Sequence, residues 1–350
     1  MIRLPQAYRS DSAGNYSRDI YRANLAIVEA GIKGLDSIGT LPIDERAVGA
    51  DLDGDSKLGM AQRIAKVSGY VGAARKYFFD RHLYPERTEF LHTVRYLGVD
   101  AQGNIGVSRR MKEVRYMLKA QAMPKYALAE LYREEGYEKD AGYLPGYTRL
   151  DDNGLDNGMG WAIQGFIEGR DGRLRTSTYE ENLFCMGCHN SIGATIDKTF
   201  SFARKIDGAG GWGYINLKGM PDAPNAGEVA GEIATYLERV GGGSEFRNNE
   251  EMTARWFHTD GSVNKTALKG RDVYDLITPS RERALQLNKA YRVTVEDQDF
   301  IFGRDAIIDP PKNVYERIDN ATTPTLPEQF QYRWDIRLDW SRRSGDVVKR

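Results

Sequence analysis

The chain has 350 residues, of which 41% are hydrophobic and 28% charged, with a formal net charge of -1. That length holds one large domain or two medium ones. The balanced charge gives no overall basic field, which argues against nucleic-acid binding and against a polybasic membrane anchor.

In chain order, "MIRLPQAYRSDSAGNYSRD" at the N-terminus has no apolar core and does not read as a secretory signal peptide. Residues 16–38 predict an amphipathic helix, with Ile20, Leu25, Ile27, Val28, Ile32 and Leu35 near helical spacing. Its apolar stretch "ANLAIVEAGI" is short and broken by Asn24 and Glu29, so no transmembrane helix is expected. A loop over 39–60 precedes a short predicted helix ending near Val67. "TEFLHTVRYLGV", the turn "DAQGN" and "IGVSRRMKEVRYML" predict a hairpin, although the second arm also suits a helix. Residues 125–137 predict a helix.

The Gly/Asp/Asn-rich stretch 143–161 is the best candidate boundary, dividing the chain into 1–145 and 146–350 unless both parts form one integrated fold. Beyond it, "EENLFCMGCHN" reads as a helix. Val229, Ile233, Leu237 and Val240 form one stripe of another, opened by Pro224 and Asn225 and closed by three glycines. Residues 248–258 predict a further helix, and "YRVTV" a strand. The expected fold class is mainly α with some β.

"DLDGDSKLGMAQ" (51–62) resembles an EF-hand or dockerin-like loop. Asp51, Asp53 and Asp55 stand at ligand positions 1, 3 and 5, where hard oxygens wrap Ca²⁺. Ser56 replaces the usual Gly at position 6, and Gln62 replaces the bidentate Glu at position 12. A weakened calcium site and an acidic solvated turn both fit.

Both cysteines lie in "FCMGCHN" (184–190), where Cys185-Met186-Gly187-Cys188-His189 has the C-x-x-C-H spacing of covalent haem attachment. Residues three apart on a helical turn share a face, so two thiols reach one porphyrin edge and the next imidazole reaches the iron. Three rivals fit less well. A thioredoxin-like pair should follow an apolar strand, but "LRTSTYEENLF" is polar. A structural zinc site normally needs four ligands, and the third rival is a disulfide with an incidental histidine.

These residues resemble the c-type cytochromes. The resemblance implies one haem c on Cys185 and Cys188, with His189 as proximal ligand, and an extracytoplasmic, normally periplasmic, location. The missing signal peptide then points to a mature or truncated chain, or to a start codon assigned too late. Met220, followed by proline in "INLKGMPDAP", resembles the axial methionine of small c-type cytochromes. His258, His82, His92 and Met159 are the other candidates for the sixth ligand. The family usually has a proline soon after the motif, and none stands between His189 and Pro221, so a small class I cytochrome fold is not expected. Trp212 and Tyr214, with Phe200 and Phe202, suit the apolar walls of a haem pocket, while Arg204, Lys205 and Lys218 suit the propionates.

The leading expectation is therefore an α-rich mono-haem electron carrier with redox partner proteins, its oligomeric state open. The alternatives are a haem enzyme with an open or displaceable distal site, acting on peroxide or a small nitrogen or oxygen species, and a haem subunit of a larger redox complex. The sequence shows no Ser–His–Asp arrangement, no phosphate-cradling Gly loop and no second haem motif.

Overall fold

The computed structural model describes residues 1–141, 146–186, 196–199, 216–224, 229–241 and 249–297. A short strand, β1 (Ile2–Arg3), precedes the first helix, α1 (Arg18–Lys33). Ser17 caps α1 by accepting from the Ile20 N–H at 3.3 Å. Gly34 ends it in the left-handed region, at φ 70°, and donates back to Ala30 and Gly31. The buried face carries Ile20, Ala23, Ile27, Ala30 and Ile32. Asn24 is buried in the same face. Its Nδ2 donates to the carbonyls of Tyr8 and Val71, and its Oδ1 accepts from the Val71 N–H at 2.9 Å. One side chain thus ties α1 to two loops and leaves no donor or acceptor of those loops bare at the contact.

An antiparallel pair follows: β2 (Ile38–Asp44) and β3 (Met60–Ile64), in register Ile38↔Ile64 and Asp44↔Met60, with the short helix α2 (Glu45–Val48) between them. The sequence predicted a helix where β3 lies. Ala61 and Ile64 are buried while Met60, Gln62 and Arg63 are exposed, and pairing with β2 decides the conformation of so short a segment.

The long hairpin β4 (Glu89–Val99) and β5 (Ile105–Lys119) is as the sequence predicts in its strand reading. Its turn is held by the Asp100 carboxylate, which accepts from the N–H groups of Gln102 and Asn104 at 2.9 and 2.8 Å. After helix α3 (Lys125–Asp140) come β6 (Thr148–Arg149), β7 (Leu155–Asp156), β8 (Trp161–Glu168) and β9 (Leu174–Thr176). All join one seven-stranded antiparallel sheet in the order β1-β4-β5-β8-β7-β6, with β9 also on β8. The sheet takes strands from both sides of residue 146. It corrects the expected class: the architecture is a large antiparallel sheet with helices around it, and not a mainly α haem domain. The α reading fails because sheet strands here carry many charges. β5 reads "IGVSRRMKEVRYMLK", with Arg109, Arg110 and Arg115 interrupting the apolar alternation.

The principal core joins α1, the β2–β3 pair and the sheet through Leu4, Ile27, Ile43, Trp161, Ile163 and Met186. Helix α4 (Tyr179–Met186) packs on it. Helices α5 (Glu232–Val240), α6 (Glu250–Trp256), α7 (Lys265–Leu268) and α8 (Val273–Ile277) surround a second core of Leu237, Trp256, Phe257, Leu268 and Leu276. "YRVTV" is not a strand. It lies in α9 (Arg281–Asp297), where Ala284, Tyr291 and Val295 fall on one buried face and Tyr291 meets Tyr96 of β4 edge-on at 5.6 Å.

Candidate cation site

The loop between α2 and β3 gathers four carboxylates, from Glu45, Asp51, Asp53 and Asp55, with one oxygen of each within 4.8 Å of the others. The local sequence explains the convergence. Asp51 accepts from the N–H groups of Gly54 at 2.7 Å and Ser56 at 2.9 Å. Asp53 accepts from Asp55, and Asp55 from Lys57. Each aspartate therefore folds the backbone back on itself, and their side chains converge inside the resulting coil. Gly54 at φ 81° and Ser56 at φ 66° supply the two left-handed residues that such a coil needs.

Glu45 is the residue that the sequence reading missed. It is 1% exposed and sits six positions before the loop. Its Oε1 accepts from Leu52 at 2.5 Å and Asp53 at 3.2 Å, and its Oε2 from Gly59 at 2.8 Å. The expected twelfth-position acid is Gln62, so a template read forward along the chain finds no fourth carboxylate. The structure supplies one from the opposite strand end, because Asp44↔Met60 pairing brings the start of α2 beside the end of the loop. Four anions this close repel one another, although only Glu45 is buried and water screens the exposed aspartates, and a bound cation lowers that repulsion. Ser56 holds a left-handed conformation that favours glycine. Ser56→Gly is expected to stabilise the chain by about 0.5–1 kcal/mol, the relief of strain outweighing glycine's extra chain entropy; paired melting curves check this.

A second charged feature was not legible in the sequence. Residues 196–199 form a tight turn in which Ile196 and Thr199 exchange backbone hydrogen bonds at 3.0 Å. Both central residues are non-glycine and left-handed, Asp197 at φ 49° and Lys198 at φ 60°. Both side chains are buried. Asp197 accepts from Lys119 Nζ at 2.6 Å, from the Tyr84 N–H at 2.9 Å and from Trp161 Nε1 at 3.4 Å. Lys198 Nζ donates to Glu135 of α3 at 2.6 Å and lies 4.4 Å from the Tyr132 ring centroid. Burial pushes the Asp197 carboxyl above its ordinary range, and Lys119 opposes that shift.

Of the other predicted site residues, Cys185 is half-buried on α4 against the principal core, and Met220 is buried with its carbonyl accepting from the Val273 N–H at 2.9 Å. Cys188, His189, Arg204, Trp212 and Tyr214 lie outside the described residues. Among the alternative axial ligands, His92 is on β4 and His258 follows α6.

A model of a lipoprotein family matches residues 1–275. An uncharacterized lipoprotein of Aquifex aeolicus (strain VF5) is 30% identical over 373 residues, covering 93% of this chain and 61% of that protein. The chain thus spans about three-fifths of the length of this relative. No solved structure matches. The family match overturns the assignment to c-type cytochromes, and with it the mono-haem electron carrier and the redox partners drawn from it. The resemblance rested on three residues of a five-residue pattern, against a match across most of the described chain.

Proposed function

We propose, from the premise that the chain belongs to this lipoprotein family, that it works outside the cytoplasm at a membrane surface, and that its first hairpin binds Ca²⁺. In this reading the compartment is the periplasm, and Glu45, Asp51, Asp53 and Asp55 hold the ion. The observation that carries it is the convergence of four carboxylates, one of them buried, at the tip of β2–β3. The role is structural. The ion offsets half of the cluster's negative charge and fixes the loop to the hairpin, whose Ile38, Ile43, Ala61 and Ile64 belong to the principal core.

Thermal unfolding in calcium against chelator tests this. At about a hundredfold excess over Kd, binding adds roughly 2.7 kcal/mol to the folded state, which raises Tm by several degrees. Magnesium should do less, because it demands a near-octahedral set and gives up water reluctantly. Identical melting in chelator and in calcium of about 1–5 mM, the upper range for extracellular calcium modules, would sink the calcium reading. No helix among the described residues is long and apolar enough to cross a membrane, so attachment in this proposal falls to lipid and to the surface of the fold.

A further inference from the structure

Two short helical turns, at Gln6–Arg9 and Gly72–Lys76, pack side by side. The Ala73 N–H donates to the Ser10 carbonyl at 2.9 Å, Ser10 forms a bridge with Tyr16, and the Tyr8 ring stacks on Tyr77 at 5.7 Å. The segment leaving the second turn is "RKYFFD". Phe79 turns inward, edge-on to Tyr70 at 5.5 Å. Its neighbour Phe78 turns outward and is 86% exposed; Tyr77 is 45% and Tyr16 67% exposed. Tyr77 and Phe78 thus face water beside Arg75 and Lys76, which are also exposed, and exposed Tyr16 is linked to the same turn through Ser10. No carboxylate among the described residues pairs with either cation, whereas the next charged residues are neutralised, Asp80 by Lys125 and Arg81 by Asp36.

Phe78, left this open, buries almost none of its ring in the fold. Lys76 Nζ lies 5.3 Å from the Tyr77 ring centroid, and Phe beside Tyr and cations without a carboxylate partner is the composition that settles into a bilayer interface. The rings enter the boundary between headgroups and acyl chains, and the cations meet anionic phosphates. We infer that the 75–78 loop, with Tyr16, is a docking surface for an anionic lipid bilayer, a second attachment beside any lipid anchor. The inference rests on the lipoprotein reading only for the nearness of a membrane. A contact of this kind fixes the orientation of the fold on the bilayer, which a flexible lipid attachment alone does not.

The test is co-sedimentation of the unlipidated 350-residue chain with vesicles of phosphatidylcholine, with and without about one-third phosphatidylglycerol. The wild-type chain is expected to pellet with the anionic vesicles at low salt and to be released as salt rises past the point where screening is complete. Phe78→Ser should lower partitioning roughly tenfold, and Arg75→Glu with Lys76→Glu at least as much. All should melt like the wild type, because these side chains are exposed. No pelleting at low salt, or pelleting unchanged in the variants, overturns the proposal. So does self-association without vesicles that Phe78→Ser abolishes, which would make a second copy the occupant. Labelling of the cellular precursor with a fatty acid reads lipidation separately, so failure of the family-based reading is distinguishable from failure of the docking surface.

Discussion

Asp197→Asn should destabilise the protein by about 3–5 kcal/mol, the loss expected when one partner of a buried ion pair is removed and the other is left charged. The side chains of Lys119 and Asp197 are 1% and 0% exposed, so water screens neither. The amide keeps the shape of the carboxyl, but its one oxygen can serve either the Tyr84 N–H or the Lys119 and Trp161 donors, so the loss combines the missing charge with a donor turned towards donors. The check is chemical denaturation of Asp197→Asn, Lys119→Met and the double variant. The pair is coupled, so the double variant should lose much less than the sum of the singles. A loss below about 1 kcal/mol for Asp197→Asn would mean that the charge of this pair does not hold the turn in place.

Glu45→Gln is expected to destabilise by about 2–4 kcal/mol even in chelator, because three backbone N–H groups depend on its two oxygens and the amide turns a donor towards them. It should also abolish any response to calcium. Asp53→Asn separates the two effects. Its carboxylate accepts one local N–H at 3.2 Å and is partly exposed, so melting in chelator should stay near wild type while the calcium response falls. Because the Asn oxygen can still ligate, Asp53→Ala is the decisive partner: a full response there would mean that the ion does not sit among these four carboxylates.

What the sequence showed and what it concealed divide along physical lines. Helix α1 was legible from its apolar period, although that reading ran to residue 38, past the left-handed Gly34 that ends the helix. The β4–β5 hairpin was legible from its turn, where Asp100, Gly103 and Asn104 each favour the chain reversal. β3 and α9 were misread because pairing and packing, which no local window contains, decided them. Three of the four carboxylates of the cation loop sit at the alternate positions a linear template reads. Glu45 comes from across a strand pair, and the Lys119–Asp197 contact spans 78 positions, so neither leaves a local trace. The haem reading erred in another way. A five-residue pattern was allowed to classify a chain whose relationship to a lipoprotein family runs over 275 residues.

The buried turn at 196–199 also sets the order in which the chain can close. The β4–β5 hairpin needs only a five-residue reversal, so it can form early and locally. Lys119 at the end of β5 must then wait for a partner 78 residues on, and the Tyr84 N–H for one 113 residues on. Closure at such separations adds little entropy per extra residue but is slow to find. Until it happens, a lysine destined for the interior stays hydrated at the edge of the half-built sheet. A fragment ending before Asp197 could complete every strand of that sheet and still hold this charge in an apolar place, so the strands by themselves do not make an autonomous folding unit.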